Sequence, residues 1–258
     1  MVDGAYALAG ALTGFVVGLT GVGGGALMMP ILLLLGVAPT TAIATDLWFA
    51  VLTKAVAASI HNGSAQIDWI VVKRLWFGSL PMALLVVALV SFGAQVQKVD
   101  WLTKAIGIVV LVTALGMLLA PALKLLARER RLDNPSRFKA LQPALTVFAG
   151  LVLGLCVALT SVGAGALGSV ILLYLYPLRM TPHRLVATDI MHAIPLALVA
   201  GLGYLFAGMV DGHLLISLLA GSIPTVVLGS LLSRSLNGRW IQVLLAVVLL
   251  GAGLKTLT

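Results

Sequence analysis

Thr20-Gly-Val-Gly-Gly-Gly-Ala-Leu27 and Thr160-Ser-Val-Gly-Ala-Gly-Ala-Leu167 are two versions of one phrase, set 140 residues apart in sequence that is otherwise almost wholly apolar. Around them 61% of residues are hydrophobic, 9% are charged, and the mean hydropathy is +1.15. A soluble domain carries roughly 25% charged residues, so the composition indicates an integral membrane protein. Apolar runs of about 20 residues, the length of a membrane-crossing helix, recur along the chain. No alternating pattern of barrel strands appears, which leaves helices. A glycine break inside such a run frees backbone N–H and C=O groups where no water can satisfy them. Broken chain at membrane depth therefore survives only where it faces protein or a hydrated cavity. Two breaks in matching positions point to a transporter's binding site at a repeat interface.

The repeat extends beyond the glycines. Ala44-Thr45-Asp46 returns as Ala187-Thr188-Asp189, and Gly78-Ser79-Leu80-Pro81 as Gly221-Ser222-Ile223-Pro224, both 143 residues on. Trp101-Leu102 and Trp240-Ile241 then open the last span of each half. The pattern predicts one all-α transmembrane domain over 1–258, with repeat 1 at 5–123, a basic linker at 124–141 and repeat 2 at 142–257. Each half holds a glycine-broken first segment (5–36 and 143–176), re-entrant or half-helical, with limbs of roughly 15 and 12 residues. Three spans follow, at 41–61, 69–92 and 101–122, and again at 184–206, 212–234 and 240–257. The stretch Met1 to Leu19 lacks a basic n-region and a cleavage site, so it reads as the first membrane segment and not a removable signal.

Charge counting separates two topologies. If the broken segment folds back, twelve Lys/Arg fall on the linker's side (Lys73, Arg74, Lys124, Arg128, Arg130, Arg131, Arg137, Lys139, Arg179, Arg184, Arg234, Arg239) and three opposite (Lys98, Lys104, Lys255). If it crosses once, the split is nine to six. The positive-inside rule favours the first, hence inverted repeats and a cytoplasmic linker. The net charge of +8 is spent on orientation, and nucleic acid is discounted as a partner. The single cysteine, Cys156, allows no internal disulfide and reads as a packed thiol.

At the breaks, helix N-termini present free N–H groups and the positive end of the dipole to the membrane interior. Gly23, Gly24, Gly25, Gly163 and Gly165 admit close backbone approach, and Thr20, Thr160 and Ser161 add hydroxyls, so two opposed N-termini would form an anion site. The alternative is that these glycines serve only close helix packing. Asp46 and Asp189 are carboxylates inside spans, where function is the default reading and helix capping the competing one. Lys54, two turns past Asp46 on nearly the same face, has no counterpart in the second half; an intramembrane lysine pairs with an acid or meets an anion. His192, one turn after Asp189, is a candidate proton carrier, or a histidine packed between helices. Trp48 beside Asp46 is a candidate pathway residue; Trp69, Trp76, Trp101 and Trp240 read as aromatic-belt anchors. No metal or cofactor is expected.

Gly-Val-Gly-Gly-Gly-Ala-Leu followed by Pro30, then Ala38-Pro39 with a downstream Thr45, then Ile67-Asp68-Trp69 and Gly78-Ser79, all repeated in weaker form, resemble the sulfite exporter TauE/SafE family over nearly the whole chain. The resemblance implies a secondary transporter moving sulfite, organosulfonates such as sulfoacetate, or related small anions across the bacterial inner membrane, commonly outward. It supports Gly23, Gly24, Gly25, Gly163 and Gly165 as broken-helix positions and Thr45 and Thr188 as the polar pair that follows. Many relatives carry serine where this chain has Asp46 and Asp189, which bears on coupling or substrate. The expected partners are a small anion, protons as coupling ion and membrane lipids, with a homodimer as one open assembly. The competing classes are a passive channel and an intramembrane enzyme. The chain lacks H-E-x-x-H and G-x-S-x-G, so no enzyme is expected.

Overall fold

The computed structural model describes residues 3–20, 25–61, 67–92, 104, 106–116, 118–119, 122, 125, 135–232, 246–247, 250–251 and 254–255. Regular structure among them is entirely helical: α1 (Gly4–Thr20), α2 (Gly25–Leu34), α3 (Pro39–His61), α4 (Trp69–Phe92), α5 (Ile106–Gly116), α6 (Pro135–Thr160), α7 (Ala166–Leu175), α8 (Pro182–Phe206) and α9 (Gly212–Leu232). Five of these, α3, α4, α6, α8 and α9, are long and apolar enough to cross a membrane. Their outward faces carry Phe77, Leu89, Phe148, Phe206 and Ile216 largely exposed, a surface suited to lipid. The expected spans 69–92, 41–61, 184–206 and 212–234 thus correspond to α4, α3, α8 and α9 within two residues at each described edge. Trp101, Trp240 and most of the linker lie outside the described residues.

The limbs of the broken segments depart from the sequence estimate. They measure 17 and 10 residues in the first half but 26 and 10 in the second. α6 begins at Pro135, inside the stretch assigned to the linker. A proline is well tolerated at the first helical position, and Pro143 does not end the helix. At 1.5 Å per residue α6 is about 39 Å long, enough to cross, whereas α7 reaches only about 15 Å.

Contacts fix the direction of each helix. Gly10, Gly14 and Gly18 of α1 face Leu218, Ser222 and Val226 of α9, so these two run side by side in the same sense. Their counterparts repeat the arrangement: Gly150 and Gly154 of α6 face Leu75 and Ser79 of α4. A Cβ on Gly14 or Gly154 would strike the backbone across the contact, so the missing side chain lets two helices touch main chain to main chain. α4 also runs with α8, matching Ser79 to His192 and Val87 to Gly203. α3 runs with α9, where Thr45 meets Asp211 and Ala57 clusters with Val226. α3 opposes α8: the Trp48 indole donates to the Gly201 carbonyl at 3.0 Å, while Lys54, further along α3, reaches back to Asp189. Hence α1, α3 and α9 point one way and α4, α6 and α8 the other.

α6 and α7 form an antiparallel hairpin. Gln142 near the start of α6 donates to the Leu175 carbonyl at the end of α7, 2.7 Å away, and Gly163 in the turn lies against Cys156. The end of the bundle where α4, α6 and α8 begin bears Lys73, Arg74, Lys139, Arg179 and Arg184. The opposite end, where α1, α3 and α9 begin, bears Asp3, Asp211 and His213.

Candidate functional site

The break between α6 and α7 is built from residues whose backbone departs from helix. Ser161 has φ 56°, Gly163 φ 127° and Gly165 φ 115°. Gly165 occupies a region open essentially to glycine alone, which explains glycine there on local grounds. Thr160 ties the turn to itself: its hydroxyl donates to the Cys156 carbonyl at 2.7 Å and accepts from the Val162 N–H at 3.1 Å. Of the expected anion-binding groups, Thr160 is therefore spent on backbone, whereas the buried Ser161 hydroxyl has no hydrogen-bond partner.

Three charged side chains surround this turn. Asp189 on α8 accepts from the Gly165 N–H at 3.1 Å, so it caps α7 from a neighbouring helix. Its other oxygen lies 3.9 Å from the Lys54 ammonium, and that ammonium donates to the Ala164 carbonyl at 3.4 Å. Asp189 and Lys54 are 1% and 4% exposed. Asp46 on α3 is fully buried, and neither of its carboxyl oxygens has a hydrogen-bond partner. The Ser161 hydroxyl and the Lys54 charge bear on it. The turn thus stretches between the two acids, with Ser161 toward Asp46, Gly165 on Asp189, and the lysine against the carbonyl between. The capping expected for Asp189 at the start of its own span is instead made from within α8 to the start of α7.

His192 is fully buried; its Nε2 is 3.0 Å from the Ser79 hydroxyl, and its Nδ1 has no partner. It lies within electrostatic reach of Lys54. Its carbonyl accepts from the Trp76 indole at 3.3 Å, so Trp76 is tied into the helix contact. Trp48 is likewise bound to Gly201.

Thr45 and Thr188 lie away from the turn, in a matched pair of bonds between the halves. The Thr188 hydroxyl accepts from the Asp68 N–H at 3.1 Å, and the Thr45 hydroxyl from the Asp211 N–H at 3.3 Å. Asp68 and Asp211 in turn cap α4 and α9 through Val71 and Leu214 N–H groups. In the first half, Gly25 opens α2; Gly23 and Gly24 lie outside the described residues, as does the side chain of Thr20.

Sequence reasoning missed several participants. Gly168 lets the Asp189 carboxylate lie against α7, since a Cβ there would come within 2.8 Å of its oxygen. Ser79 was quoted as a repeat landmark and family motif with no site role, yet it is the partner of His192. Asp68, conspicuous in Ile67-Asp68-Trp69, is buried beneath Arg179 and Arg184. Nothing in the linear spacing joins residues 68, 179 and 184.

A buried charge cluster at a turn between helices, in an apolar helical bundle, fits a membrane transporter. The chain is 37% identical over 254 residues to the probable membrane transporter protein YjnA of Bacillus subtilis (strain 168), covering 96% of this chain and 97% of that protein. No solved structure matches it. Residues 6–256 match the family described as sulfite exporter TauE/SafE, and the chain belongs to that family of multi-pass membrane transporters, which are not enzymes.

Proposed function

We propose that the protein is a secondary transporter exporting a small sulfur oxyanion, sulfite or an organosulfonate, across the bacterial inner membrane with proton coupling. The observation that carries this reading is Lys54, a lysine buried in the bundle against an unwound turn and not consumed by a close ion pair. An ammonium 3.9 Å from its nearest acid can draw closer to an incoming anion without first breaking a tight contact. The Ser161 hydroxyl supplies a hydrogen bond to an oxyanion oxygen, and the positive dipole end of α7 favours its charge. Gly23, Gly24 and Gly25 would furnish the matching half of the site.

Two carboxyl groups face one ammonium, so one proton balances the cluster and one bound anion unbalances it again. Binding of anion and proton then favour each other. Asp46 and Asp189 are the proton carriers in this reading, with His192 as the relay. Inverted repeats, 5–123 and 142–257, are the frame we infer; the opposed senses of α3 and α8 and the turning back of α6 into α7 support it. The basic end is then cytoplasmic by the positive-inside rule.

Counterflow in proteoliposomes tests the function. Preloaded sulfite or sulfoacetate should drive uptake of labelled substrate, and an imposed pH gradient should alter the rate. Flux that saturates with neither substrate, or shows no counterflow, rejects the carrier.

A further inference from the structure

Asp68 is 1% exposed yet meets two arginines from the other half of the chain. Arg179 spans both carboxyl oxygens, Nη2 donating to one at 2.9 Å and Nε lying 2.6 Å from the other as an ion-pair contact, and Arg184 Nη2 stands 3.2 Å from that second oxygen. The arginine side chains remain 41% and 28% exposed. Arg74 stands close by, bonded to the Tyr176 hydroxyl at 3.3 Å on the same α7–α8 connection. Cations therefore outnumber the acid at this mouth, which concentrates anions there. At the matching place in the opposite end, Asp211 has the same backbone cap and the same threonine, but the positions equivalent to Arg179 and Arg184 are Gly36 and Thr41.

We propose that Arg179 and Arg184 form a second oxyanion subsite, at the basic mouth, and that the Asp68 carboxylate occupies it as a tethered substitute until a substrate displaces it. A bidentate guanidinium selects planar or pyramidal oxyanions with two accessible oxygens, the chemistry shared by carboxylate, sulfite and sulfonate. Displacing Asp68 would release the start of α4 from the α7–α8 connection, so arrival of the anion at this face would loosen the contact that closes it. Among the described residues no arginine pair of this kind meets Asp211 at the opposite mouth, so the response is expected at one end. The inference rests on the oxyanion reading of the central site, but its test is separate.

The reporter is Met180→Cys, a buried position beside Arg179, in full-length protein carrying Cys156→Ser and reconstituted in nanodiscs. Its labelling by a maleimide should be slow, and methanesulfonate or sulfoacetate, neither of which reacts with the reagent, should speed it several-fold where chloride does not. Asp68→Asn retains an N-cap acceptor while removing the charge; it should label fast without anion and respond little to it. Arg179→Gln should do the same, whereas Asp211→Asn should leave the rate unchanged. Adding Lys54→Ala should abolish transport but keep the labelling response, so loss of one reading leaves the other standing. Slow labelling in both Asp68→Asn and Arg179→Gln, or an anion response that survives Arg179→Gln together with Arg184→Gln, overturns the proposal.

Discussion

Asp189 shows how one side chain can hold a fold and a site together. It accepts the Gly165 N–H and faces Lys54, so neither charge of the pair is isolated in the apolar interior. Removing one partner of a buried pair typically costs about 3–5 kcal/mol, and removing both costs less. Lys54→Ala should therefore lower the thermal midpoint in detergent markedly, and Lys54→Ala with Asp189→Asn should recover much of it without restoring sulfite binding. Equal midpoints for the single and double variants would show that the two groups are not coupled. Asp46 has no such structural bond. Asp46→Asn should fold normally and flatten the dependence of flux on pH between about 5.5 and 8, the window over which a coupling proton must be exchanged. A wild-type profile in that variant removes Asp46 from proton coupling.

Two kinds of glycine act at the level of the helices, and they should fail differently. Gly154 is needed for contact: its Cβ would meet the Ser79 backbone, so Gly154→Leu should separate α6 from α4 and lower both stability and insertion yield. Gly165 is needed for conformation, since φ 115° strains any L side chain by about 1–3 kcal/mol. Gly165→Ala should insert with a modest loss of stability and a large loss of transport. Thermal midpoints and flux measured side by side distinguish them, and full flux in Gly165→Ala would mean the turn tolerates another shape. The duplicated glycine phrase made the break between α6 and α7 legible in the sequence, because its repetition exceeds what packing alone requires. The helix edges followed from apolar run length. The 26-residue α6 was not legible, because Pro135 and the charges around it look like a connection in the sequence.

Across the described residues, the directions of seven helices, α1, α3, α4 and α6 to α9, follow from a few contacts that no single span could supply. The sequence marked Asp46, Lys54, Asp189 and the broken turn separately, by residue type and depth; that Lys54 reaches Asp189 on another helix was not legible. The places of Thr45 and Thr188 were not legible either, since their bonds to Asp211 and Asp68 depend on how the halves interlock. That interlocking gives a topology test. Leu35 and Leu178, both exposed, lie in the corresponding α2–α3 and α7–α8 connections but at opposite ends of the bundle. Cysteines there should react with impermeant reagent from outside and from the cytoplasm respectively; labelling of both from one face rejects the inverted arrangement. The residue matching Lys54 in the second half is Ala197, buried and uncharged. A frame made of two like halves that carries one cation on only one of them cannot treat its two openings as energetic equals. In the carrier proposed above, the waiting times facing either compartment would then differ, and that difference would set which direction of travel is the faster.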